Sequence, residues 1–338
     1  MKDKKNYRIS KRSEFSEVND EILFALSQPY LIRKSFEYGE AFLCNPSIET
    51  LARSIQSKRP QSSNEVTDKY WDLEHARWLT ISSQLDQSYA SFLPGRIHTY
   101  RVLATHIVEK IDPRSMIDIG CGSGMMLHEF HKLGVAVNGL DKSKAALDLA
   151  TALATKEYSY TPALHLGDAL KNSNSLGLKR DLVSNLGSLE HLNYSQQLQF
   201  LRFMASFSKK YLLICIPNKK STLFRAMEAA ELSLTDSDLV YPEEFHQHDV
   251  DFARLRNDLS ATLVEQGGIH TIPTSQTYGQ SIDIMTGALY DPSPTDCANF
   301  EQRLLHAQNY EGGIEPKIKM QRAWFYFEVW DIDRSLYK

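Results

Sequence analysis

Long apolar runs are missing from this chain of 338 residues. None approaches the about 18 consecutive apolar residues of a bilayer-spanning helix, so no membrane span is expected. Cysteine is scarce and scattered. Cys44, Cys121, Cys215 and Cys297 form no CxxC pair, which argues against a disulfide frame or a zinc site and for reduced, cytoplasmic thiols. An excess of one charge is missing as well. With 38 basic and 42 acidic residues the net charge is −4, His counted neutral, so no global field draws nucleic acid. Lys2, Lys4, Lys5, Arg8, Lys11 and Arg12 do make the first dozen residues basic. No apolar core follows them, so they read as a solvated tail rather than a secretory signal. There is no internal repeat. What is present, 42% hydrophobic and 24% charged residues, is ordinary globular composition.

The chain organises into three stretches. Residues 1–68 read as an N-terminal helical extension and linker. Asn19 or Asp20 can cap a helix there, Ile22, Leu23 and Leu26 give it an apolar face, and Pro29 ends it. The polar run from Ile55 to Asp68 reads as the linker. Residues 69–114 hold two helical patterns, about 69–85 and 96–111, with Tyr70, Leu73, Arg77 and Trp78 near one side of the first. This region is expected to form a lid, although aromatics at helical spacing also serve as plain packing. From Ser115 strands and helices alternate. Strands are expected at 115–119, 135–140, 163–166, 181–185 and 211–216, with helices at 143–155 and 194–208. That rhythm predicts an α/β fold with a doubly wound parallel sheet. Residues 219–249 interrupt it as a cap insertion, a helix is expected at 250–267, and an aromatic strand at 323–329.

The run Asp118-Ile119-Gly120-Cys121-Gly122-Ser123-Gly124 carries the most information. A strand, a glycine turn and a helix start make a nucleotide-type site, because glycine lets backbone approach a ligand closely. Dinucleotide enzymes prefer G-x-G-x-x-G. Here the spacing is G-x-G-x-G, Met125 follows, and Asp118 precedes the first glycine by two residues. These features favour S-adenosylmethionine (SAM), which has no pyrophosphate. Asp141, at the end of strand two, can accept from both ribose hydroxyls. Asp168, ending strand three before Ala169, can accept from the adenine amino group. Each acid also has a plain reading as a strand-end residue.

In these motifs the chain resembles the class I SAM-dependent methyltransferases. DIGCGSG, GLD, GDA and DLVSNLGSLEHL look like the family's first four motifs, and LLICIPN like its fifth strand. A closer similarity is to the ubiquinone-biosynthesis O-methyltransferase branch, through Trp71-Asp72-Leu73-Glu74 and Pro94-Gly95-Arg96. The resemblance implies a Rossmann-like, seven-stranded sheet whose last strand is antiparallel. To it are added the helical N-terminal region and the insertion after strand five, with residues 115–338 as the SAM-binding domain. It implies SAM as cofactor, S-adenosylhomocysteine (SAH) as product, and Arg96 as partner of the methionyl carboxylate, a match that a bidentate guanidinium suits. The cofactor-binding set is then Arg96, Asp118, Gly120, Cys121, Gly122, Gly124, Asp141, Lys142, Asp168, Ala169 and Asn185.

Candidates for the transfer step are Glu190, His191 and His246. SAM carries an activated methyl, so the enzyme mainly aligns a nucleophile and excludes water. An oxygen or nitrogen acceptor can also need a base of near-neutral pKa. Glu190-His191 follows strand four, at the rim where ligands bind in such sheets. Related O-methyltransferases have E-x-L-E-H here and can use a divalent metal. Gly187 or Ser188 replaces the first acid in this chain, so no metal site is expected. His246, His248 and Asp249 can hold a metal, supply a base, or simply cap the next helix. The acceptor is expected to be a small molecule. Asn185-Leu186-Gly187-Ser188 is not the N/D-P-P-Y segment of amino-DNA methyltransferases, and Cys215-Ile216-Pro217 reverses the Pro-Cys order of cytosine enzymes. A homodimer is compatible with the sequence. Transfer of another SAM-derived group, a non-catalytic SAM-binding scaffold and an NAD oxidoreductase are the competing readings.

Overall fold

The computed structural model describes residues 99–171, 176–220 and 248–269 throughout, with isolated positions from Trp71 to Leu79 and from 316 to Ala323 and the strand 325–332. For Pro94–His98 and five short strands outside these ranges it describes the backbone alone.

Helix α1 (Pro94–Ile111) leads into the sheet. There follow β1 (Ser115–Ile119), α2 (Met125–Lys132), β2 (Ala136–Asp141), α3 (Lys144–Glu157), β3 (Ala163–Leu166) and β4 (Arg180–Leu186). A 3-10 turn (Leu189–His191), α4 (Tyr194–Phe207), β5 (Ser208–Pro217), α5 (Phe252–Asp258), β6 (Ala261–Ile269) and β7 (Phe325–Ile332) complete it. The seven strands lie in the order β3-β2-β1-β4-β5-β7-β6. The first five pair in parallel, and β7 is inserted antiparallel between β5 and β6.

Period-two alternation explains why both faces are covered. Ile117, Ile119, Val183, Leu212, Ile214 and Trp330 point to one face, against Phe200, Leu201, Met204 and Phe207 of α4. Met116, Leu182, Leu213, Cys215 and Val329 point to the other, against Leu103 and Ile107 of α1 and Leu127 and Phe130 of α2. Two apolar faces need helices on both sides, and the alternating βα order supplies them. Caps fix where the helices start. Ser143 accepts from the Ala146 N–H. Asn193 and Gln196 form a reciprocal capping box on α4.

Four findings differ from the sequence expectations. The helix expected at 250–267 is α5 followed by β6. Ser260 at φ 50° breaks the helix without a Gly or Pro to announce it, and 261–267 then alternates inward and outward. The cap of α5 is Asp251, whose carboxylate accepts from the Arg254 N–H, rather than Asp249. Within 1–68 the described residues are an antiparallel hairpin, Tyr30–Ser35 with Glu40–Leu43. The helix expected before Pro29 lies outside the described residues. Between β6 and β7 a small antiparallel sheet joins 274–275, 280–283 and 288–290, which the sequence reading did not anticipate.

Candidate active site

The chain order reverses between β1 and β4, and the C-terminal ends of the parallel strands meet there. Crevices of doubly wound sheets open at that point. The glycine loop leaves β1 and runs into α2. The Gly120 and Cys121 N–H groups both donate to the Leu140 carbonyl, at 2.7 and 3.2 Å, which ties the loop to the tip of β2. Gly120 has φ 76°, and a Cβ there would lie 2.6 Å from Ser188 Oγ. Gly124 has φ 73°, with Ala150 Cβ 3.0 Å from the Cβ position. Both positions exclude a side chain on backbone and on space. No side chain caps α2, so the start of that helix faces the crevice with its N–H groups.

Asp141 closes the loop from the other side. One oxygen accepts from the Gly122 N–H and the other from the Ser143 N–H, each at 2.8 Å. A carboxylate offers about four acceptor positions, so roughly two remain. Lys142 beside it is exposed. Asp168 accepts from the Leu170 N–H at 2.9 Å and pairs with Lys171 at 3.1 Å. Ala169 is buried next to it.

Asp118 is buried in β1 and accepts from Ser184 Oγ at 2.6 Å, across a parallel register that sets the two residues side by side. Burial pushes its carboxyl up to about 7. The Ser184 hydrogen bond opposes the shift and the Asp141 charge adds to it. One hydroxyl bond to a charge contributes about 1.5–3 kcal/mol, which offsets only part of the desolvation of a carboxylate. Cys121 is also buried, and burial, then Asp141 and Asp118, push its thiol well up. It fills space rather than attacking anything. A Cβ on Gly139 would lie 2.8 Å from its sulfur.

Asn185 is the clamp of the β4 side. Its Nδ2 donates to the Ile119 carbonyl at 2.6 Å and its Oδ1 accepts from the Leu189 N–H at 3.2 Å. That fixes the turn holding Glu190 and His191. Glu190 is 2% exposed. Burial raises its carboxyl to about 8, against the pull of its own N–H and of Lys219. Its Oε2 is shut off from solvent and has no hydrogen-bond partner among the described residues. His191 Nε2 lies 3.9 Å from Glu190 Oε1. The chain returning from the insertion is fastened here, because the His248 N–H donates to the Glu190 carbonyl at 2.6 Å. Gln197 Nε2 holds the Asp249 carbonyl at 3.2 Å.

The structure therefore gathers Asp118, the three glycines, Cys121, Asp141, Asn185, Glu190 and His191 at one sheet end. Arg96 lies in α1 with its side chain outside the described residues, and His246 lies outside them altogether. Among the described residues no three His, Cys, Asp or Glu side chains cluster to hold a metal. Sequence reasoning missed Ser184, whose only signal is its register with Asp118, and His75, which sits next to the quoted Trp71–Glu74 segment.

Residues 116–210 match a family described as "Methyltransferase domain". They are a methyltransferase domain. The ubiquinone biosynthesis O-methyltransferase of Vibrio campbellii is 25% identical over 253 residues, covering 70% of this chain and 96% of the relative. That of Nitrosococcus oceani is 31% identical over 86 residues, 24% of this chain and 34% of the relative. Among solved structures, magnesium protoporphyrin IX methyltransferase from Synechocystis PCC 6803, crystallised with SAH, is similar at a TM-score of 0.49. It is 14% identical, and the match covers 80% of this chain and all of that one.

Proposed function

We propose that this methyltransferase acts on a small-molecule acceptor in the cytoplasm, with Glu190 receiving the acceptor's proton. Bound in the crevice, SAM supplies a methyl group already activated by its sulfonium. The residues fit it. The unused acceptor positions of Asp141 suit two vicinal hydroxyls, the bare glycine turn admits a close ligand, and Asp168 lies one strand further along.

The observation that carries the proton-transfer role is Glu190 itself: a buried carboxyl at the β4 tip with one oxygen unpartnered. A purely structural glutamate at that burial would have its polar atoms satisfied. In the transfer, the acceptor's lone pair forms a bond to the methyl carbon and the carbon–sulfur bond breaks, its electron pair staying on sulfur. The acceptor's proton passes to the ionised form of Glu190, which is populated as the pH rises through about 8. His191 orients the pair. The 25% identity to O-methyltransferases supports an oxygen acceptor over nitrogen or carbon. Turnover to SAH with a panel of hydroxylated, amino and carbon acceptors tests the reading. SAH formation with hydroxylated acceptors, lost in Glu190→Gln, is the expected result.

A further inference from the structure

The segment ahead of α1 also reaches the glycine loop. Residues 71, 72, 75, 76 and 79 are helical, and Trp71, His75 and Leu79 are half-buried while Asp72 and Ala76 are exposed. An i, i+4, i+8 inward stripe is the mark of a helix lying on a surface. His75 Nε2 comes within 3.4 Å of the position a Gly122 Cβ would occupy, and His75 Nδ1 is shut off from solvent. The ring lies beside Trp71, centroids 5.9 Å apart and planes 31° from parallel. Gly122 is the residue whose N–H holds Asp141. His75 therefore stands above the middle of the loop, next to the carboxylate assigned to the ribose.

We propose that His75 is a cofactor-contacting residue, set over the glycine turn with Trp71 beside it as the roof of the crevice. The inference rests on the SAM reading above. Its logic is steric and dielectric. The loop has no side chains of its own over Gly122, so a ligand on it is covered only by what another element brings. An imidazole backed by an indole brings a flat, amphipathic surface that excludes water from the ribose contacts, where charge-assisted hydrogen bonds are worth most in low dielectric.

The test is hydrogen exchange on the full chain, with calorimetry on the same samples and SAH as the probe. Addition of SAH to wild type is expected to slow amide exchange across 71–79. His75→Ala is expected to weaken SAH binding about tenfold while Asp141 remains in place. The exchange readout uses the wild-type chain and so does not depend on how the variant folds. Wild type that binds SAH with no protection at 71–79, and a variant that binds within about twofold, overturns the roof and leaves the SAM reading intact. Wild type that does not bind SAH overturns both.

Discussion

The tips of β2 and β4 each present a buried carboxylate to the same crevice, and the two are prepared in opposite ways. Asp141 has a backbone N–H on each oxygen. Glu190 has an oxygen with no donor and a carboxyl raised to about 8. Backbone donors on both oxygens fix the orientation of Asp141, which suits a standing hydrogen-bond acceptor. A buried carboxyl with one oxygen undonated, raised to about 8 by desolvation, exchanges its proton near neutral pH, which suits proton transfer.

The comparison can be broken first at Glu190. Glu190→Gln should lower kcat about 100-fold, the lower end of what a positioned acid or base contributes. SAH affinity should stay within about twofold, measured by steady-state turnover beside calorimetry. A wild-type rate that rises with pH toward about 8, and a flat profile in the variant, would sharpen the assignment. An equal fall in binding and turnover would erase the distinction between the two tips. Asp141→Ala should do the reverse. It strands the Gly122 and Ser143 N–H groups and removes the charged acceptor, so SAH affinity should fall at least about tenfold in calorimetry. His191→Ala should lower turnover about fivefold with little change in SAH binding, because His191 approaches Glu190 at 3.9 Å without a strong bond.

The smallest expected effect is on stability. Glu190 has its carboxyl raised from 4.5 to about 8 in the folded chain. The folded state therefore holds this proton more tightly than the unfolded state. The stability it brings is complete below the ordinary value and is lost as pH rises through about 8. Glu190→Gln cannot lose it. Its melting temperature relative to wild type should climb by several degrees between pH 5 and pH 8, read by circular dichroism. A constant difference across that range would mean Glu190 is ionised in the folded chain at neutral pH.

Local rules made the β1–β5 region legible. The first four strands are short runs ended by an acid or followed by a glycine, β5 is a longer apolar run ended by Pro217, and Ser143 and Asn193 mark helix starts with their own side chains. The positions of the loop, Asp141 and Asp168 were readable for the same reason, since each lies at or just past the C-terminal end of a strand. What was not legible depends on partners distant in sequence. β6 exists because β7 pairs with it along its whole length, whereas its own sequence continues a helical pattern from α5. The environment of Glu190 depends on the β4 turn, the Lys219 charge and the His248 backbone, which come together from distant parts of the chain. The Asp118–Ser184 bond comes from a register between strands 66 positions apart. The 69–85 pattern was readable as a helix and a lid, but that His75 is the side chain set over Gly122 depends on packing between segments distant in sequence.

The account turns on the crevice at the β1–β4 reversal holding SAM through Asp141. A crystal structure of the chain grown with SAH measures that directly. The expected density has the ribose hydroxyls on the two Asp141 oxygens and the sulfur directed toward Glu190. SAH bound elsewhere, or a crevice that admits a dinucleotide in its place, would contradict it.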